Sequence, residues 1–440
     1  MSGESTPASV RDAKQAGEAR TRWSWTERSV WTDRMLTALE QGVKGGRWFS
    51  LIDKVHRPAN LHAAFAKVKA NRGAAGVDHV TIAMFEDDLD GNLTRLGESL
   101  RDGTYRPQSI RRVMIPKPGS QETRPLGIPT VRDRVAQGAL RQVIEPIFER
   151  AFADHSYGFR PGRGAKDALR EVDRLLGEGF CHVVDADLRS YFDTIDHDLL
   201  MAKVEEKISD GRVLDLIRLF LSQPIFEGLS EAPPTRGTPQ GAVLSPLLAN
   251  LYLDALDHEM AGAGYRMIRY ADDFVVLCET RERADSALEL IQGWVDQARL
   301  TLHPDKTRVV DARNEGFDFL GYRFENGRKR PRDKSLRRLK DTVRRKTRRT
   351  NGRSLGCVIA DVNLTLRGWF GYFKHSHRHT FPVLDGWVRM RLRSLLRQRR
   401  GLRGRGRGAD HQRWPNAFFA EHGLFRLEHA HAAACQSARR

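Results

Sequence analysis

Tyr270-Ala271-Asp272-Asp273 sets two adjacent carboxylates between short apolar runs, Met267-Ile268 and Phe274-Val275-Val276-Leu277. The pattern predicts a strand, a tight turn and a second strand, with the carboxylates at the tip. About 85 residues upstream, His182-Val183-Val184 leads into Asp185-Ala186-Asp187-Leu188-Arg189-Ser190-Tyr191-Phe192-Asp193, so more carboxylates stand at another strand end. Such groups repel one another unless a cation lies among them. Oxygen ligands drawn from separate elements are what hard divalent cations take. Two such ions roughly 3.5–4 Å apart stabilise the attacking and leaving oxygens of an in-line displacement at phosphorus. An Asp-Asp pair alone is also an ordinary turn, because Asp favours turns.

Other residues suit the same chemistry. Strand alternation puts Asp185 and Asp187 on one face, so periodicity leaves open which of them is a ligand. Lys117 and Arg124 stand seven apart across a Pro-Gly turn; two basic residues in a loop are ordinary, but together they can reach one phosphate group, the arginine bidentately. Gln240 stands between Pro239 and Gly241, where an amide can face a nucleotide and glycine admits close backbone approach. Ser245-Pro246 predicts a helix start, with the hydroxyl at the N-cap and Pro at the first helical position. Leu247, Leu248, Leu251 and Leu256 should then turn inward. Asp193 and Asp196 read as turn and capping groups.

These motifs together resemble the reverse transcriptases encoded by group II introns. Tyr270 to Asp273 resembles the palm signature, and Asp187 to His197 the first palm motif. Arg236-Gly237-Thr238-Pro239-Gln240-Gly241-Ala242-Val243-Leu244-Ser245-Pro246 is similar to the family's Pro-Gln-Gly motif. Ile115 to Gly119 and Arg124 to Pro129 resemble its fingers motif, and Phe317-Asp318-Phe319-Leu320-Gly321-Tyr322 its primer grip. Leu366-Arg367-Gly368-Trp369-Phe370-Gly371-Tyr372-Phe373 resembles the maturase domain. All stand in the family's order over roughly residues 45 to 430.

The resemblance implies an α+β right-hand polymerase of fingers, palm and thumb, with an antiparallel palm sheet and a helical basic thumb/maturase domain after it. It makes Asp187, Asp272 and Asp273 the catalytic carboxylates, holding two Mg2+ ions with the backbone carbonyl of Leu188. It favours Asp187 over Asp185, because the family's bulky aromatic follows the catalytic Asp by five residues, where Phe192 stands. Phe192 is then the gate against a ribose 2′ hydroxyl; its plainer reading is a core side chain. Lys117, Arg124 and Gln240 bind the nucleotide, and Lys306, in His303-Pro304-Asp305-Lys306-Thr307, resembles the lysine that protonates pyrophosphate. The implied partners are group II intron RNA, an RNA template, a DNA primer, dNTPs and target DNA. The paired cysteines of an HNH endonuclease extension are not in the sequence, so priming is expected from nascent strands at replication forks. A retron-type or defence-associated reverse transcriptase would share the palm but not the Gly368-Trp369 region. A binding-only splicing factor with an inactive palm is disfavoured by the intact carboxylates.

Charge divides the 440 residues. Residues 328–353 hold 14 Lys and Arg against 2 acidic residues, and residues 354–440 hold 16 against 5. The chain carries +18 overall, so residues 1–327 are acidic, at −5. Such a basic block points to a polyanion, and the resemblance makes Arg337, Arg338, Arg344, Arg345, Arg348 and Arg349 contacts to RNA. Cys181, Cys278, Cys357 and Cys435 are scattered without a Cys-x-x-Cys pair, which argues against structural zinc and a disulfide framework. No apolar stretch is long enough to span a bilayer. A bacterial cytoplasm is expected, with nucleoid association on DNA. His375, His377 and His379 read as a polar or RNA-facing strip.

The elements that must position these residues follow from pattern. Residues 1–44 are expected to be a partly disordered extension, 45–175 fingers, 176–325 palm, 326–400 thumb and maturase helices, and 401–440 a basic linker with a C-terminal maturase or DNA-binding remnant. Thr32 or Asp33 should cap a helix ending before Gly42. Asn60 should open a second, with Leu61, Phe65 and Val68 on one face. A helix is predicted over about 131–152. Leu336, Leu339 and Val343 mark another beyond Lys334. Gly401 to Gly408 reads as a flexible strip and not a packed element. The aromatic segment from Trp414 to Leu427 should dock.

Overall fold

The computed structural model describes residues 18–116, 123–227, 230–232 and 234–437. The chain divides into two compact units. Of the described residues, the first holds those within 18–116, 123–172 and 184–309, and the second those within 173–183 and 310–437.

In the first unit, Thr32 caps the Asp33–Gln41 helix by accepting the Met35 N–H, and Gly42 ends it. The next long helix departs from the expectation. It runs Pro58–Asn71, with Pro at its first position, and Asn60 lies buried within it. The Asn60 amide donates to the carbonyls of Lys54, Val55 and Ala139, each at 3.1 Å, while Gln142 donates to its Oδ1 at 2.7 Å. Asn60 therefore locks this helix onto the Val131–Glu149 helix. That second helix is capped by Thr130 and buried along most of its length.

Among the described residues, eleven strands, β1 to β11, follow one another in chain order. A four-stranded sheet has the order β2-β1-β4-β5, with β1 Ile110–Pro116, β2 Thr123–Ile128, β4 Ile225–Glu227 and β5 Ser230–Ala232. β1 and β2 are antiparallel, pairing Ile115 with Arg124. A second sheet has the order β6-β7-β3-β8, from β3 His182–Asp187, β6 Arg266–Tyr270, β7 Asp273–Cys278 and β8 Arg308–Asp311. Val184, Ala186, Phe274 and Val276 send this sheet's apolar side chains into a core shared with Leu247, Leu248, Leu251 and Leu256 of the Ser245–Gly262 helix. The predicted inward face of that helix is thus observed.

In the second unit β9 Phe317–Phe319, β10 Tyr322–Glu325 and β11 Arg328–Pro331 form an antiparallel sheet in the order β11-β10-β9. Its β10–β11 turn is Asn326-Gly327, both at positive φ (50° and 65°), the residue pair such hairpins demand. The Asp333–Lys346, Leu355–Phe373 and Thr380–Arg399 helices enclose a separate core through Leu339, Val343, Val362, Leu366, Leu384 and Leu392. Trp414, Phe419, Leu424 and Leu427 complete it, so the aromatic C-terminal segment docks as expected. The glycine strip is more anchored than its composition suggested. Gly406 is buried, its N–H donates to Ser394 Oγ at 3.3 Å, and a Cβ there would lie 2.5 Å from Arg393 Cβ.

Candidate active site

β6 and β7 pair Tyr270 directly with Asp273, which leaves Ala271-Asp272 as a two-residue turn. Ala271 sits at φ 59°, the left-handed region, a conformation costing a non-glycine residue about 1–2 kcal/mol. Its carbonyl accepts a hydrogen bond of 2.9 Å from Arg269 Nη1. Asp272 projects from this held turn and is half-buried, as is Asp273.

At the end of β3, Asp185 and Asp187 lie on the same half-buried face, with Ala186 buried between them. Their surroundings differ. Lys306 Nζ forms an ion pair with Asp187 Oδ2, whereas Arg308 lies 3.6 Å from Asp185. Burial pushes the Asp272 carboxyl above the usual carboxylate range; its own backbone N–H opposes this, the Asp187 charge adds to the push, and Arg269 and Lys306 pull back. The Asp187 charge thus bears on Asp272, and Lys306 is paired with Asp187.

The segment after β3 bonds to residues 301–303. Arg189 N–H donates to the Thr301 carbonyl at 2.8 Å and His303 N–H to the Asp187 carbonyl at 2.7 Å. Those two bonds flank Leu188 and leave its own carbonyl outside the ladder. The donors suit a hard cation chemically: two mutually repelling carboxylates, one with a raised pKa, beside a backbone oxygen. Among the described residues no three His, Cys, Asp or Glu side chains gather closely enough to hold an ion.

Phe192 is partly buried against the main core and edge-on to Tyr191, 5.5 Å between ring centroids. It also lines a cavity of about 310 Å3 with Gln240, Arg112, Gly127, Thr238 and Arg236. The Pro-Gln-Gly loop is tied in place from both sides. Gly127 N–H donates to the Gln240 carbonyl at 2.6 Å, and Thr238 N–H donates to the Phe192 carbonyl at 2.7 Å. Gly241, at φ 112°, leaves no room for a Cβ against the Gly127 carbonyl. The expected role of Ser245 is corrected. It is the first helical residue, Leu244 is the N-cap, and the Ser245 hydroxyl donates to the Pro239 carbonyl at 2.9 Å. Capping would have spent that hydroxyl on its own helix; the loop's carbonyl claims it instead.

Asp196 caps the His197–Glu205 helix as expected, accepting from Asp198 and Leu199 N–H. Burial alone would raise its carboxyl, but the 2.7 Å bond from Arg299 and those N–H groups hold it below the usual range. Arg124 is exposed near the end of the β1–β2 hairpin. Lys117 lies outside the described residues. In the second unit Arg337, Arg338, Arg344, Arg345, Arg348 and Arg349 are all exposed. Arg344 donates to Asp341 at 2.6 Å and lies, with Lys340, within 6 Å of the Trp387 ring centroid.

Sequence reasoning passed over Arg269, Asp257 and Asn250, which are buried behind the Asp272 turn. The available signal was charge out of place: an Arg inside the apolar β6 run, and an Asp inside a leucine-rich helix.

Residues 115–324 match the family described as reverse transcriptase (RNA-dependent DNA polymerase), and residues 336–414 match the group II intron maturase-specific domain. Protein YkfC of Escherichia coli K12 is 34% identical over 357 residues, covering 72% of this chain and 92% of that protein. The chain belongs to the group II intron-encoded reverse transcriptases. The group II intron-encoded protein LtrA of Lactococcus lactis is 40% identical over 205 residues, 46% of this chain and 33% of LtrA. The chain thus spans about a third of LtrA but nearly all of YkfC. The α+β polymerase fold and the RNA-directed DNA polymerase and maturase character come with this family, and its members use divalent metal ions. The maturase match favours this reading over the retron-type or defence-associated alternative, which is not better supported. No helix among the described residues is long and apolar enough to cross a membrane.

Proposed function

We propose that the first unit copies an RNA template into DNA from a primer, and that the basic second unit binds group II intron RNA, assists its splicing and keeps it attached for reverse transcription during retrohoming. The observation that carries the polymerase half is that neighbouring strands of one sheet bear the carboxylates, Asp187 closing β3 and Asp272-Asp273 at the β6–β7 turn, with Lys306 against Asp187. Asp187, Asp272 and Asp273, with the Leu188 carbonyl as a further oxygen ligand, would hold two Mg2+ ions. When bound, the ions stabilise the charge on the attacking 3′ oxygen and on the leaving pyrophosphate.

The chain's own groups supply the remaining functions. Lys117 and Arg124 neutralise the triphosphate of an incoming dNTP, and Gln240 presents its amide from the tethered Pro-Gln-Gly loop. Phe192, lining the same cavity as Gln240, meets a ribose 2′ hydroxyl and so favours deoxynucleotides. Lys306 gives a proton to the departing pyrophosphate oxygen. In the second unit Arg337, Arg338, Arg344, Arg345, Arg348 and Arg349 contact RNA phosphates. Fingers at 45–175, palm at 176–325, and thumb and maturase helices at 326–400 describe the division of labour. The protein works in the cytoplasm and, bound to target DNA, with the nucleoid.

Primer extension on an RNA template tests this reading. Asp272→Asn keeps the side chain's shape and removes its charge, so cDNA synthesis should fall by at least about 100-fold, while intron RNA is still bound. Wild-type synthesis by this variant would end the assignment.

A further inference from the structure

We infer that the buried Arg269–Asp257 ion pair positions the Asp272 carboxylate, acting through the Ala271 carbonyl. The inference rests on the polymerase reading of Asp187 and Asp272. Arg269 lies in β6 and is fully buried. Its Nε donates to both Asp257 oxygens, at 2.8 and 3.0 Å, and Nη2 also donates to Asp257 Oδ2. Nη1 divides between Asn250 Oδ1 at 3.0 Å and the Ala271 carbonyl at 2.9 Å. One guanidinium thus ties the Ser245–Gly262 helix to the residue immediately before Asp272.

Asn250 and Asp257 are seven residues apart, two helical turns, so both face β6 from one side of that helix. Asn250 continues the chain of bonds by donating to the Gly158 carbonyl at 2.7 Å. Gly158 in turn lies so close to the turn that a Cβ there would collide with Ala271 N. The neighbouring backbone joins in: Arg269 N–H donates to His155 at 3.0 Å, and Tyr157 N–H donates to Arg269 at 2.9 Å. The turn is gripped from behind and from the side, which holds Ala271 at its unfavourable φ.

Stability alone does not explain such a pair. A buried ion pair contributes little net free energy, and replacing it by apolar side chains of similar volume is often neutral or stabilising. What an apolar pair cannot supply is a directed donor to the Ala271 carbonyl. The guanidinium fork suits this because its donors lie in fixed directions, which a lysine ammonium does not reproduce.

The test uses the full chain with three variants: Arg269→Lys, the double variant Arg269→Met with Asp257→Leu, and Asp272→Asn. Three quantities are read: melting temperature, kcat with primer-template KM, and Mn2+ affinity by electron paramagnetic resonance. Arg269→Lys should lower kcat and weaken Mn2+ binding, each by about 10–100-fold, with KM unchanged. The double variant should melt at or above the wild-type temperature and still show both losses. Recovery of kcat and Mn2+ affinity along with stability would overturn the inference, leaving the pair a structural filler. The double variant carries the test should Arg269→Lys not fold. Asp272→Asn separates the underlying reading: if it keeps synthesis and Mn2+ binding, the polymerase assignment fails and the positioning role falls with it.

Discussion

Replacing Arg344, Arg345, Arg348 and Arg349 by Gln removes four cations from an exposed stretch without disturbing the second unit's core. The neighbouring Val343 and Thr347 are buried and stay in place, with Arg391 donating to Thr347 Oγ1 at 3.2 Å and to its carbonyl at 3.0 Å. The four arginines are not equivalent. Arg344 also bonds Asp341 at 2.6 Å and lies over the Trp387 face, so its phosphate contact is expected to be the weakest and the other three to dominate the slope. Each phosphate contact contributes about 0.7 to 0.9 to the log–log salt slope, depending on whether the RNA is single- or double-stranded. Three lost contacts flatten the slope by about 2 to 3. Between 50 and 200 mM salt the wild type should therefore lose about 20- to 40-fold more affinity than the variant. The assay is filter binding of intron RNA across a salt series, with assisted splicing followed in parallel. An unchanged slope and affinity would refute the reasoning: the arginines would be a solvated face, and the RNA footprint would lie further along, at Arg389 to Arg407.

Other perturbations give separable outcomes. Asp187→Ala should abolish primer extension, while Asp185→Ala, which removes the carboxylate 3.6 Å from Arg308, should fold and stay at least partly active; the reverse ranking would displace Phe192 from its gate role by two residues. Phe192→Val should admit ribonucleotides about tenfold or more often, scored by alkaline cleavage of the product; unchanged sugar discrimination returns Phe192 to the core. Gly241→Ala forces a Cβ onto the Gly127 carbonyl at positive φ, so it should cost about 1–3 kcal/mol and raise the KM for dNTPs. In the second unit Asp385 accepts the N–H groups of Leu427 and Glu428, each at 3.0 Å. Asp385→Ala orphans both and should cost about 1–3 kcal/mol, read as a lower melting temperature.

Sequence by itself determined the local elements and the chemistry on offer. The short apolar runs on either side of Asp272 specified a strand–turn–strand, because turn formers between two such runs have few other solutions. The 3.6-residue period of Leu247, Leu248 and Leu251 specified a buried helix, and charge counting located the basic block in the last quarter of the chain. Each of these depends on neighbours within a few residues. Tertiary structure decided which groups meet. Asp185 and Asp187 share a strand face, and the arrival of Lys306 and Arg308 from more than a hundred residues away gives them different surroundings. Ser245 could cap its own helix or hold the Pro239 carbonyl, and the fold of the preceding loop chose the second. Asn60 reads locally as a helix start but serves as a buried bridge to Ala139 and Gln142. Gly406 belongs to a stretch whose composition signals flexibility, yet the close approach of Arg393 anchors it. Arg269 was passed over in the sequence, and only the fold brings Asp257 and Asn250 together around it. A hydrogen-bonding side chain has several satisfactory partners in principle, and the partner it takes is set by which distant backbone or charge the closed core delivers to it.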